Sequence, residues 1–197
     1  MAKINNTISS LTVTLLCFLI HINALAGEHI TFDAHVHVHG LSEINIAIDQ
    51  QTIEIGMKSP AIDLVGFEHK AKSKEDITAV KKAKSLLNRH DRVIEFSGGN
   101  CELLNQFIDV SSIIHTHHHT ENEHTKQHIK NYSQEVNHSE VIANYRYHCK
   151  KVADLYSITV KVFHLFPGIK KMQALWITER EQGAASLNPK NKVINLR

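Results

Sequence analysis

The chain has 197 residues, 42% of them hydrophobic, with 22 basic and 20 acidic side chains and a formal charge of +2 with histidine neutral. That balance argues against nucleic acid as a partner, and the length suits one domain that can bury its own core. The outlying count is histidine, at 16 residues, the commonest protein ligand for zinc and similar borderline metals.

Lys3 gives a basic start, Leu11 to Ile22 is mostly apolar, and Ala24-Leu25-Ala26 has the small-x-small form of a cleavage site. Residues 1–26 therefore read as a secretory signal peptide, followed by one metal-binding domain over 27–197. The apolar run is short for a membrane span. Cys17 lies inside it, followed by Phe18 and Leu19, so no lipid anchor is expected. Removing the leader takes away one basic residue and no acidic one, which leaves a charge near +1.

From Gly27 the pattern has period two. Val36, Val38, Ile44, Ile46 and Ile48 share even positions, while His35, His37, His39, Glu43 and Asn45 are odd, so an unbroken extended chain shows one apolar and one polar face. The histidines then stand on the wet face. Neighbours two apart on that face are only about 6.6 Å apart along the chain, whereas His35 and His39 are about 13 Å apart, so two of the three are expected to share an ion with ligands from elsewhere. The plainer alternative is an ordinary polar surface. Asp49-Gln50-Gln51 reads as a turn into a second strand with Ile53, Ile55 and Met57 facing the same core, ended by Pro60.

Gly66 permits a bend before Glu68 and His69, one candidate source of additional ligands; His138 with Glu140 is the other. A carboxylate either completes a zinc shell or orients an imidazole from behind. Ser73 and Asp76 have capping-box spacing, and the Ala-, Lys- and Leu-rich stretch from Lys74 to about Leu87 predicts the main helix, with Ile77, Val80 and Leu87 on one stripe. His21, His90, His148 and His164 read as ordinary polar residues.

Residues 115–134 are polar and carry His115, His117, His118, His119, His124 and His128. Such a segment buries too little to order itself and is expected to form a loop with weak metal sites; a merely solvated insertion is the alternative. Alternation then returns at Val141, Ala143, Tyr145, Tyr147 and Cys149, at Ile158, Val160 and Val162, at Met172, Ala174 and Trp176, and from Val193 to Leu196. An even pair of cysteines in an exported chain favours a Cys101–Cys149 disulfide over thiolate ligands, since no Cys-x-x-Cys spacing is present.

Several ordered motifs carry a resemblance: Val36-His37-Val38-His39-Gly40, the Leu41 to Ile48 strand, the run from Ser59 to His69, Tyr145-Arg146-Tyr147-His148-Cys149 and Phe166-Pro167-Gly168. Together they resemble the ZrgA-like periplasmic zinc-binding proteins of Gram-negative bacteria. The resemblance implies zinc capture in the periplasm and delivery to an inner-membrane zinc transporter. It also implies His37, His39 and His69 as metal ligands, with Glu68 beside the last; His35 is an extra histidine in the first motif.

The expected fold is α+β, mostly antiparallel sheet and sandwich-like, with one main helix and a disulfide. A pure two-sheet sandwich is the alternative, and the pattern leaves strand order open. Three functions compete: a periplasmic zinc-binding protein of an uptake system, a buffer or chaperone for copper or nickel, and a zinc hydrolase. The last lacks a motif such as His-Glu-x-x-His on a helix, so the chain is read as a binding protein rather than an enzyme.

Overall fold

A computed structural model describes residues 38–114 and 139–196. Residues 1–26, read above as a signal peptide, and His35, His37, His138 and the six histidines from His115 to His128 lie outside the described residues. Within them are nine strands: β1 (Leu41–Asp49), β2 (Thr52–Pro60), β3 (Ile94–Ser97), β4 (Gly99–Asp109), β5 (Glu140–Lys151), β6 (Ser157–Val160), β7 (Lys171–Ile177), β8 (Gln182–Leu187) and β9 (Val193–Asn195). Three helices accompany them, α1 (Ala61–Val65), α2 (Lys74–Leu87) and α3 (His90–Val93). A six-stranded sheet has the order β4-β5-β2-β1-β7-β8, and a three-stranded sheet the order β3-β6-β9. The expected mostly antiparallel α+β fold is present, with one parallel pair, β1 with β7.

Alternation sets the inner face of the large sheet. Ile44, Ile46, Ile53, Ile55 and Met57 are buried, and so are Val141, Ala143, Tyr145, Tyr147 and Cys149. Their partners across the ladders match, Ile46 with Ile55 and Ile55 with Tyr145, so apolar side chains fall opposite one another and share one cluster with Ile158, Val160 and Ile194 of the small sheet.

Helix α2 begins as its capping box requires: Ser73 Oγ accepts from Asp76 N at 3.0 Å, and Asp76 Oδ2 accepts from Ser73 N at 3.2 Å. Its buried stripe is Val80, Ala83 and Leu87. Ile77 is expected on that stripe but is 41% exposed, and the small Ala83 is buried in the core instead. At the other end Tyr145 Oη donates to Leu87 O at 2.8 Å, which ties the helix to β5 and satisfies one of its last carbonyls.

The sequence pattern fails where β1 begins. An unbroken strand was expected to carry the histidines, but β1 starts only at Leu41, because Gly40 adopts φ 82 and Leu41 N donates to Val38 O at 3.0 Å. His39 thus belongs to a turn, and Val38 is 56% exposed where alternation would have buried it. Val162 likewise lies in a 3₁₀ turn, Val162–His164, although it is buried as expected.

Cys101 and Cys149 face each other across β4 and β5 and are disulfide-bonded. The bridge spans 48 residues in sequence, and closing so long a loop in the unfolded chain is worth about 2–4 kcal/mol. Cys101→Ala/Cys149→Ala is therefore expected to unfold at lower urea with an unchanged far-UV spectrum at rest. A midpoint equal to that of the oxidised parent would contradict this.

Candidate metal centre

The end of the large sheet where β1 starts brings two separate chain segments together. Pro60 ends β2 and leads into α1, which closes at Gly66 in the left-handed conformation, φ 88. The chain then runs back past the Val38–Leu41 turn, and this sets Glu68 beside it. His39 Nε2 lies 3.0 Å from Glu68 Oε1. The contact is close but not aligned as a hydrogen bond, and Glu68 Oε1 is buried without a hydrogen-bond partner among the described residues.

That pair has dimensions zinc can use. Ligand atoms about 2.0–2.2 Å from a tetrahedral ion are roughly 3.3 Å from each other, so an imidazole nitrogen and a carboxylate oxygen at 3.0 Å need only a small adjustment to share one. The buried oxygen, which meets only the imidazole and accepts no aligned hydrogen bond among the described residues, fits the same chemistry. No group of three or more His, Cys, Asp or Glu is arranged to hold an ion among the described residues.

Asp63 of α1 stands next to the pair. It is 7% exposed, its Oδ1 accepts from Gly40 N at 2.8 Å, and its Oδ2 has no hydrogen-bond partner among the described residues. Burial pushes its carboxyl above the usual aspartate range, against the lowering effects of the Gly40 N–H and the nearby His39, with Glu68 adding a further raising effect.

His69 faces elsewhere. Its ring stacks on Phe67, with centroids 4.6 Å apart, and its Nε2 lies 3.3 Å from Asp76 Oδ2 in the capping box of α2. Glu140, the first residue of β5, places Oε1 2.7 Å from Lys58 Nζ. The fold thus joins His39 to Glu68, His69 to Asp76 and Glu140 to Lys58 as three separate pairs.

The segment bearing Glu68 also receives the residues on either side of the stretch 115–138. Ser139 Oγ donates to Glu68 O at 2.7 Å, Lys70 Nζ donates to Ser112 O at 2.7 Å, and Ala71 N donates to Ile113 O at 2.8 Å. Residues 68–71 are the seam between the two flanks. Sequence reasoning missed Asp63, Ser139 and the second role of Asp76. The available signal for Asp63 was a lone acid inside the apolar run from Ala61 to Phe67.

A family model described as ZrgA family zinc uptake protein matches residues 36–196, which takes in every described element. The chain belongs to the ZrgA family. Comparison with curated proteins gave no match. For a ZrgA family zinc uptake protein the cargo is zinc, and the imidazole–carboxylate pair of His39 and Glu68 is of the donor type that zinc takes.

Asp76 yields a pH prediction. Hydrogen bonds from the Lys72 and Ser73 amides and from His69 hold its carboxyl below the usual aspartate range. A depressed folded-state value contributes stability above the ordinary aspartate pKa of about 3.9 and loses it as pH falls through the folded value. Asp76→Asn should therefore melt below the parent near neutral pH, and the gap should close in acid below about pH 4. A gap that stays constant from pH 7 to pH 3 would show that the carboxylate charge is irrelevant to the cap.

Proposed function

We propose that this protein captures zinc in the periplasm and passes it to an inner-membrane zinc transporter. The observation that carries the reading is the His39–Glu68 pair, with Nε2 and Oε1 3.0 Å apart and the carboxylate oxygen buried, in a chain of the zinc uptake family. His37, two residues before His39, is the first choice to complete the shell. His69 is held 3.3 Å from Asp76 and would have to leave that contact to ligate the same ion. We assign the tract from His115 to His128 weak sites that raise the local zinc concentration, and the protein a binding rather than a catalytic role.

The reading is tested by metal analysis of untagged protein, followed by competition titration with zinc, copper and nickel. Zinc retained near unit stoichiometry after chelator washing supports it, and copper retained instead overturns it. In the same assay His37→Ala/His39→Ala should abolish tight binding and Glu68→Gln should weaken it about tenfold or more, as loss of a ligand or its orienting partner does. His69→Ala should change affinity far less. Deleting residues 115–128 should lower the number of ions bound at high zinc while leaving the tightest site intact. Affinity should also fall steeply below about pH 6.5, because protons compete for imidazole nitrogens.

A further inference from the structure

Gly40 is held through both its N–H and its carbonyl. Its N–H donates to Asp63 Oδ1 at 2.8 Å, and its carbonyl accepts from Lys170 N at 2.9 Å and Lys171 N at 2.8 Å. Lys171 opens β7 and Lys170 precedes it, and β7 pairs in parallel with β1 through Leu41 and Lys171. The two lysine amides fix where β1 begins, but they do not connect the turn to Glu68. Asp63 does. It sits in α1, the helix that leads through Gly66 to Glu68, and it reaches across 23 residues of sequence to the amide that follows His39.

α1 is itself clamped. Gly168 packs so close to the Asp63 backbone that a Cβ there would come within 2.2 Å of the Asp63 carbonyl oxygen, and Ala61 N donates to Ser139 O at 2.8 Å. The carboxylate therefore projects from a fixed base. A charged group buried in the apolar run of Ala61, Ile62, Leu64 and Val65 is unfavourable unless its charge meets specific partners, and its partner here is the turn that presents His39.

From this geometry we infer that Asp63 is a positioning residue of the zinc site: its carboxylate grips the Gly40 amide and so sets the His39 imidazole against Glu68. The inference rests on the proposed zinc-binding function for its consequence, but the grip can be measured without metal. A merely structural role would make every replacement equivalent to a loss of stability. A positioning role separates two replacements: Asp63→Asn keeps an oxygen that accepts from Gly40, and Asp63→Ala removes it.

The test uses the full-length mature protein, with zinc alone as the probe. Asp63→Ala should weaken zinc binding at least tenfold and speed hydrogen exchange of the Gly40 amide at least tenfold, while Asp63→Asn stays within about threefold of the parent in both. Asp63→Ala binding zinc like the parent would overturn the inference. So would Asp63→Asn being as impaired as Asp63→Ala, because the charge, not the grip on Gly40, would then be what matters. If Asp63→Ala does not fold, Asp63→Ser replaces it, with a side chain too short to span to the amide. If the parent binds no zinc, the proposed function fails; the exchange rates still decide whether Asp63 holds the turn.

Discussion

One residue, Gly40, joins three parts of the chain that are far apart in sequence. With φ 82 it takes a conformation that a side chain would oppose, and it ends the approach to β1 by turning the chain out of the strand. Its amide is taken by α1 and its carbonyl by the start of β7. The histidine segment is therefore not free to slide along the sheet. Shifting the register of β1 by one residue would turn Ile44 and Ile46 to solvent and would also break these three hydrogen bonds, so the core and the candidate site depend on the same register.

The core was legible in the sequence because period two directly encodes which face is buried. Ile44, Ile46, Ile53, Ile55, Met57, Val141, Ala143, Tyr145, Tyr147 and Cys149 all obey it. Three strands escaped notice for physical reasons. β8, Gln182–Leu187, contains Gly183, Ala184, Ala185 and Ser186, residues with little strand preference of their own, and it is held by pairing with β7. β4 has a register shift between Leu103 and Asn105 that interrupts its alternation. β3 has only four residues, and the parallel pairing of β1 with β7 links segments too distant for local pattern to connect.

Of the candidate site, the residue types were legible and their partners were not. Glu68 and His69 are adjacent in sequence, yet in extended chain neighbours point to opposite sides, and here one meets His39 and the other Asp76. The turn at Gly40 matters for the same reason. Had the strand continued through His39, as alternation suggested, its imidazole would have pointed along the outer face of the sheet. The turn brings it instead to the end of β1, where α1 and Glu68 arrive. Asp63 was hidden because a single acid in an apolar run looks like a helix surface residue until the hydrogen bond to Gly40 is seen.

The seam along residues 68–71 bears on the histidine tract, because both of its flanks are fastened there. Ile113 and Ser139 are both bonded to this segment, so the chain between them starts and ends beside Glu68. A group tethered by a short flexible chain has an effective concentration in the millimolar range. If the tract carries the weak zinc sites proposed for it, its imidazoles are tethered competitors for an ion near His39. Capture by many weak ligands and holding by a few placed ones are different tasks. The placement of both flanks against the segment that carries Glu68 would let one chain perform both without a large movement.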